Sequence, residues 1–137
     1  MEEKRTDLLA LLLRPELPNV QKELPTAEYR VKRLSEALGT DVVFKLRALP
    51  YGKVKSIRDS VAGDPRLDIL LAGCVEPDLK AKELKEKYGG ATPAETVKAM
   101  LLPGEIEDLS RAVERLCGFR RLTIDEAENA WRRAATQ

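Results

Sequence analysis

The spacing of apolar residues changes twice along this 137-residue chain. Residues 8–13, LLALLL, are apolar without a break, residues 28–34 and 42–49 alternate apolar and polar, and from residue 50 onward apolar positions recur every three or four. These periods predict a short leucine-rich helix, a pair of strands and a run of helices. Thr6 and Asp7 are placed to cap the first helix, over residues 6–14, which ends before Pro15 because the residue preceding a proline is pushed out of helical geometry. That helix is apolar nearly all round, so something must cover it. Docking on its own core is the plainer reading, and a partner surface, with Leu8, Leu9 and Leu12 as contacts, is the alternative. Pro15, Pro18 and Pro25 make residues 15–26 an extended connector and the place for a hinge.

In the alternating segments Tyr29, Val31, Val42, Phe44, Leu46 and Ala48 fall on one side, and Arg30, Lys32, Lys45 and Arg47 on the other. The expectation is an antiparallel hairpin within residues 27–49, joined through residues 35–41 with Gly39 in the turn, or with a helical turn at 34–38 instead. Two strands alone are marginal in water, so the apolar face must lie on helices. Downstream, Leu49-Pro50 opens a helix with Tyr51, Val54, Ile57 and Val61 inward, and Gly63-Asp64-Pro65 closes it. Residues 67–75, LDILLAGCV, belong at the centre, with Gly73 allowing a close neighbour and Pro77 ending the helix. Residues 79–88 read as a mostly solvated helix around Leu84 and Tyr88.

Helix signals are densest in residues 91–119. Thr92 can cap a helix whose first position is Pro93, with Glu95 three residues on as a capping box requires. Pro103 ends that helix and fits the first turn of the next, beside Gly104, with Glu105, Glu107 and Asp108 placing negative charge at its N-terminal dipole. Ile106, Leu109, Val113, Leu116 and Cys117 recur at helical spacing, and Gly118, before Phe119, supplies a left-handed closing position. A last helix is expected over residues 120–137, opened by Thr123 and Glu126, with Ile124, Ala127 and Trp131 on one stripe. Trp131 is either a core residue of that helix or an anchor for a partner. Together these elements predict one α+β domain over residues 1–137, mainly α. Its small antiparallel hairpin near the N-terminus packs on a bundle of about five to six helices, the helical core spanning residues 50–119.

Composition narrows the chemistry. The 24 basic and 23 acidic residues leave a net charge of +1, without the field that draws proteins to nucleic acid or anionic membranes. Arg120, Arg121, Arg132 and Arg133 could form a basic patch, but Asp125, Glu126 and Glu128 lie between them, and a solvated surface is the better reading. The leucine run falls far below the roughly 20 residues that cross a bilayer, and Glu2 and Glu3 before it argue against a signal peptide. Histidine, the commonest general base and metal ligand, is missing, and Cys74 and Cys117 are read as reduced thiols in separate apolar helices. The acidic clusters open helices, and Glu76 and Asp78 flank a helix end, so no catalytic, cofactor or metal site is expected.

The succession LAGCVEPDL at residues 71–79, KYGG at 87–90, ATP at 91–93, LLPGEI at 101–106, then Leu116, Gly118 and Phe119, resembles the XkdN-like family of phage and prophage tail assembly chaperones. The resemblance runs from about Asp41, is compatible with residues 6–39, and leaves residues 120–137 beyond it. It implies a small, mainly helical, non-enzymatic protein of the bacterial host cytoplasm that binds the tape measure protein and helps tail tube protein assemble around it, with self-association possible. In this class a frameshift often adds a C-terminal extension. The alternative within the same setting is a structural tail or connector component retained in the particle. The resemblance carries no ligand residues. Pro77, Thr92, Pro93, Pro103, Gly104, Glu105, Gly118 and Phe119 enter as builders of the helix elbow, and Leu8, Leu9, Leu12 and Trp131 as candidate protein contacts.

Overall fold

The computed structural model describes residues 2–120 and 122–127. In chain order the elements are α1 (Glu2–Leu12), β1 (Thr26–Arg30), α2 (Lys32–Leu38), β2 (Val43–Arg47), α3 (Tyr51–Asp59), α4 (Pro65–Gly73), β3 (Cys74–Glu76), α5 (Lys82–Tyr88), α6 (Pro93–Met100) and α7 (Pro103–Leu116). The fold is mainly α with one small antiparallel sheet, ordered β1-β2-β3.

Strands β1 and β2 pair as the alternation requires, with Thr26 opposite Arg47, Tyr29 opposite Phe44 and Arg30 opposite Val43. Phe44, Leu46, Ala48 and Val31 are buried while Val43 and Arg47 face outward. The first strand stops at Arg30 instead of continuing to Leu34, and the helical alternative for the link at 34–38 is the one adopted, as α2 from Lys32 to Leu38. The Val31 N–H donates to the Val42 carbonyl at 2.9 Å, closing the ladder. Buried Ser35 then donates from its hydroxyl to the Val31 carbonyl and accepts from the Val42 N–H, both at 2.8 Å. One short polar side chain thus satisfies the backbone groups where strand becomes helix.

A third strand was not expected. The apolar run at 67–75 leaves helical geometry after Gly73, and Cys74–Glu76 lies along the open edge of β2, with Leu46 opposite Cys74 and Lys45 opposite Glu76 across a bulge. Glu76 precedes Pro77, which disfavours helix there, and the free edge of β2 supplies partners for the extended segment. The Glu76–Pro77 peptide is cis.

Helix α4 packs along α7, which itself meets β2 of the sheet. Leu46, Leu70, Val97 and Val113 are fully buried, with Leu67 nearly so. Gly73 lets the helices meet: a Cβ there would stand 2.7 Å from both methyls of Val113 and 3.1 Å from the Arg47 carbonyl oxygen.

Several expectations are corrected. Tyr51 is 80% exposed and Val61 wholly so, because α3 ends at Asp59, before the period reaches Val61. Asp64 caps the following helix, accepting from the Arg66 N–H at 3.1 Å. Helix α1 starts at Glu2, so Thr6 and Asp7 lie inside it. The connector after it is turned, not extended: Asn19 accepts from the N–H groups of Lys22 and Glu23 through its carbonyl and of Gln21 through its side chain. Residues 122–126 are not helical, so no helix opens at Thr123, and Leu122 and Ile124 are exposed. Trp131 and the rest of the expected last helix lie outside the described residues.

Candidate protein-contact site

The elbow is built by local chemistry. Thr92 Oγ1 accepts from the Glu95 N–H at 3.3 Å and Pro93 occupies the first helical position, while the Glu95 carboxylate pairs with Lys98. At the next start the Leu102 N–H donates to Glu105 Oε1 at 2.7 Å, with Pro103 again first and Gly104 exposed. At the far end Gly118 takes φ 95°, and the Phe119 N–H reaches back to the Glu114 carbonyl at 2.9 Å, a left-handed closure that suits a residue without Cβ.

Glu105 does more than complement a helix dipole. Arg33 on α2 holds it with two parallel bonds, Nε to Oε2 at 3.0 Å and Nη2 to Oε1 at 2.9 Å, and also donates to the Met100 carbonyl at 3.1 Å. The Arg33 guanidinium, with the Leu102 N–H behind it, holds the Glu105 carboxyl below its ordinary value. This clamp ties the hairpin region to the elbow. Charge pattern alone could not reveal it, since 72 residues separate the partners.

Beyond the elbow, the end of α7 forms one wall of an apolar groove of about 550 Å³. Leu116, Cys117 and Phe119 face Leu49 and Val54 across it, with Val20, Leu24 and Pro25 of the connector at its edge. The Leu49 N–H donates to Cys117 Sγ at 3.1 Å, and the Arg58 guanidinium lies 4.5 Å from the centre of the Phe119 ring. Sequence reading singled out Phe119 from this wall but not the groove, because its sides come from segments far apart in the chain.

The leucine-rich helix lies bare. Leu8, Leu9 and Leu12 are 58%, 62% and 62% exposed, and Leu11, Leu13 and Leu17 are also open, so the plainer expectation, that the helix docks on its own core, is overturned. Pro77 sits beside Cys74, whose Sγ donates to the Pro77 carbonyl at 3.3 Å; burial, with the Asp78 carboxylate adding to it, pushes that thiol up to about 12. The structure therefore separates the sequence-derived residues into a helix-elbow scaffold, Thr92 to Phe119, and a bare apolar helix, Leu8 to Leu12.

The family model described as phage XkdN-like tail assembly chaperone matches residues 64–130. That segment, just under half of the chain, is similar to the family. The matched segment starts at the Asp64 cap of α4 and carries α4 to α7, the whole elbow and one wall of the groove. It begins later than the motif reading placed it and runs past Phe119, which that reading took as its end. Helix α1, the connector and the opposite groove wall precede it. A crystal structure of the protein yqbN has the same fold at a TM-score of 0.62 and 23% identity, over 79% of this chain and 94% of that chain. No curated protein is significantly similar. Among the described residues no helix is long and apolar enough to cross a membrane, and no three His, Cys, Asp or Glu side chains gather as a metal-binding group.

Proposed function

We propose that this chain is a non-catalytic tail assembly chaperone of the host cytoplasm that binds the tape measure protein reversibly and keeps it soluble while tube protein assembles on it. The observation that carries this reading is the bare leucine helix α1 on a scaffold of tail-assembly-chaperone sequence. A run of exposed leucines is costly for a chain that works alone, and it suits a protein that lends apolar surface to another. A tape measure protein is long and helical, so an amphipathic segment of it can be met by helix-against-helix or helix-in-groove packing. One contact of this size binds weakly; many copies along one client gain by multivalency. The test is co-expression with the cognate tape measure protein: its soluble yield rises and several copies of this chain co-purify per client. Unchanged solubility without co-purification refutes the reading, and recovery of the chain in finished tails transfers it to a retained structural component.

A further inference from the structure

One chain carries two uncovered apolar surfaces, the leucines of α1 and the groove between α3 and the end of α7. They are joined by residues 13–25, whose last part, Val20, Leu24 and Pro25, forms the groove's edge. That arm is not slack. Arg14 pairs with Glu16, the Leu17 N–H bonds the Arg14 carbonyl at 3.1 Å, the turn at Asn19 holds Lys22 and Glu23, and Pro25 accepts from the Ala48 N–H at 2.8 Å. With the arm held in these turns, α1 lines none of its own groove, and a second copy is the source of an identical helix to fill it.

We propose that two copies of this chain exchange α1, each laying Leu8, Leu9 and Leu12 in the other's groove against Val54, Leu116 and Phe119. Charge permits the contact: Lys55 and Arg58 against Asp59 leave the groove positive, and Asp7 is the charged residue among residues 7–12 of the helix. Size favours reciprocity. A helix of 11 residues is about 16 Å long. One such helix in one groove falls short of the ~1,200 Å² at which standard interfaces begin, and a mutual exchange doubles the contact and closes it by two-fold symmetry. The exchanged leucines are those offered above to a client, so client and second copy compete for them; the exchange itself needs no client.

The test uses the chain alone, in sedimentation velocity and light scattering from about 1 to 100 µM, a range that spans moderate self-affinities. The expected species has twice the chain mass of 15.3 kDa. Leu9→Glu with Leu12→Glu weakens dimerisation about 10,000-fold, since the exchanged dimer loses four leucines and each contributes about tenfold. Val20→Glu with Tyr51→Glu, at exposed groove positions, has the same effect. Removing residues 1–13 is a second route to the monomer that adds no charge, and circular dichroism checks that each variant stays folded. A monomeric parent at the highest concentration overturns the proposal, and so does a dimer that survives either set of substitutions. Because no tape measure protein is present, failure here and failure of the chaperone reading are told apart.

Discussion

Gly73→Ala is the sharpest test of how the core is assembled. The new Cβ would stand 2.7 Å from Cγ1 and from Cγ2 of Val113 and 3.1 Å from the Arg47 carbonyl oxygen. Rotating the valine does not help, since both methyls already crowd the position and the side chain is fully buried. Overpacking of this kind costs about 1–3 kcal/mol. Against it, alanine is a better helix former than glycine by about 0.5–1 kcal/mol. The clash wins, leaving a net loss of about 1–2 kcal/mol and a melting temperature lower by about 3–7 °C for a domain of this size. The assay is a double-mutant cycle by thermal and urea melts. In a Val113→Ala background the two methyl contacts are gone and the 3.1 Å contact with the Arg47 carbonyl oxygen remains, so Gly73→Ala costs less there, and the coupling energy recovers the clash with the valine. A neutral Gly73→Ala in the parent, or an equal cost in both backgrounds, refutes the packing account.

Two further outcomes follow from the titrating groups. Glu105 is held below its ordinary value of about 4.3 by Arg33 first and the Leu102 N–H second, so its contribution is present above that value and is lost as pH falls through the lowered folded value. Melts from neutral to acid pH therefore show the parent's advantage over Glu105→Gln shrinking below about pH 4, and a constant advantage down to pH 3 contradicts the clamp. The Cys74 thiol, raised to about 12, is almost wholly protonated at mild pH. In a Cys117→Ser variant at pH 8 the remaining thiol reacts with Ellman's reagent at least about a hundredfold more slowly folded than unfolded, and equal rates show that burial does not protect it.

The elbow was legible because its instructions are local. Thr92, Pro93, Pro103 and Gly118 act within one helical turn of themselves, through a missing N–H, a cap oxygen or a permitted left-handed backbone, so neighbours in sequence suffice to place them. The β1–β2 face was legible for a similar reason: alternation fixes which side of a strand each residue occupies wherever the chain pairs. The family resemblance rested on the same local signals.

What the sequence could not express were choices between a residue's own preference and a neighbour that arrives from elsewhere. Residues 74–76 looked like the end of a helix until the open edge of β2 offered them a ladder. Leu34 looked like strand until Ser35 closed the pair and turned the chain. Arg33 and Glu105 form a clamp only because α2 and the elbow are brought together, and Leu49 and Phe119 face each other across a groove only because α7 runs back beside the end of β2. The leucines of α1 show the division most plainly. Sequence by itself determined that residues 8–13 would be a greasy helix needing cover. Only the tertiary structure decided that the described residues of its own body leave it exposed, because burial depends on which surfaces the rest of the chain brings within reach, and here the segment after the helix turns on itself at Asn19 without laying the leucines on the core.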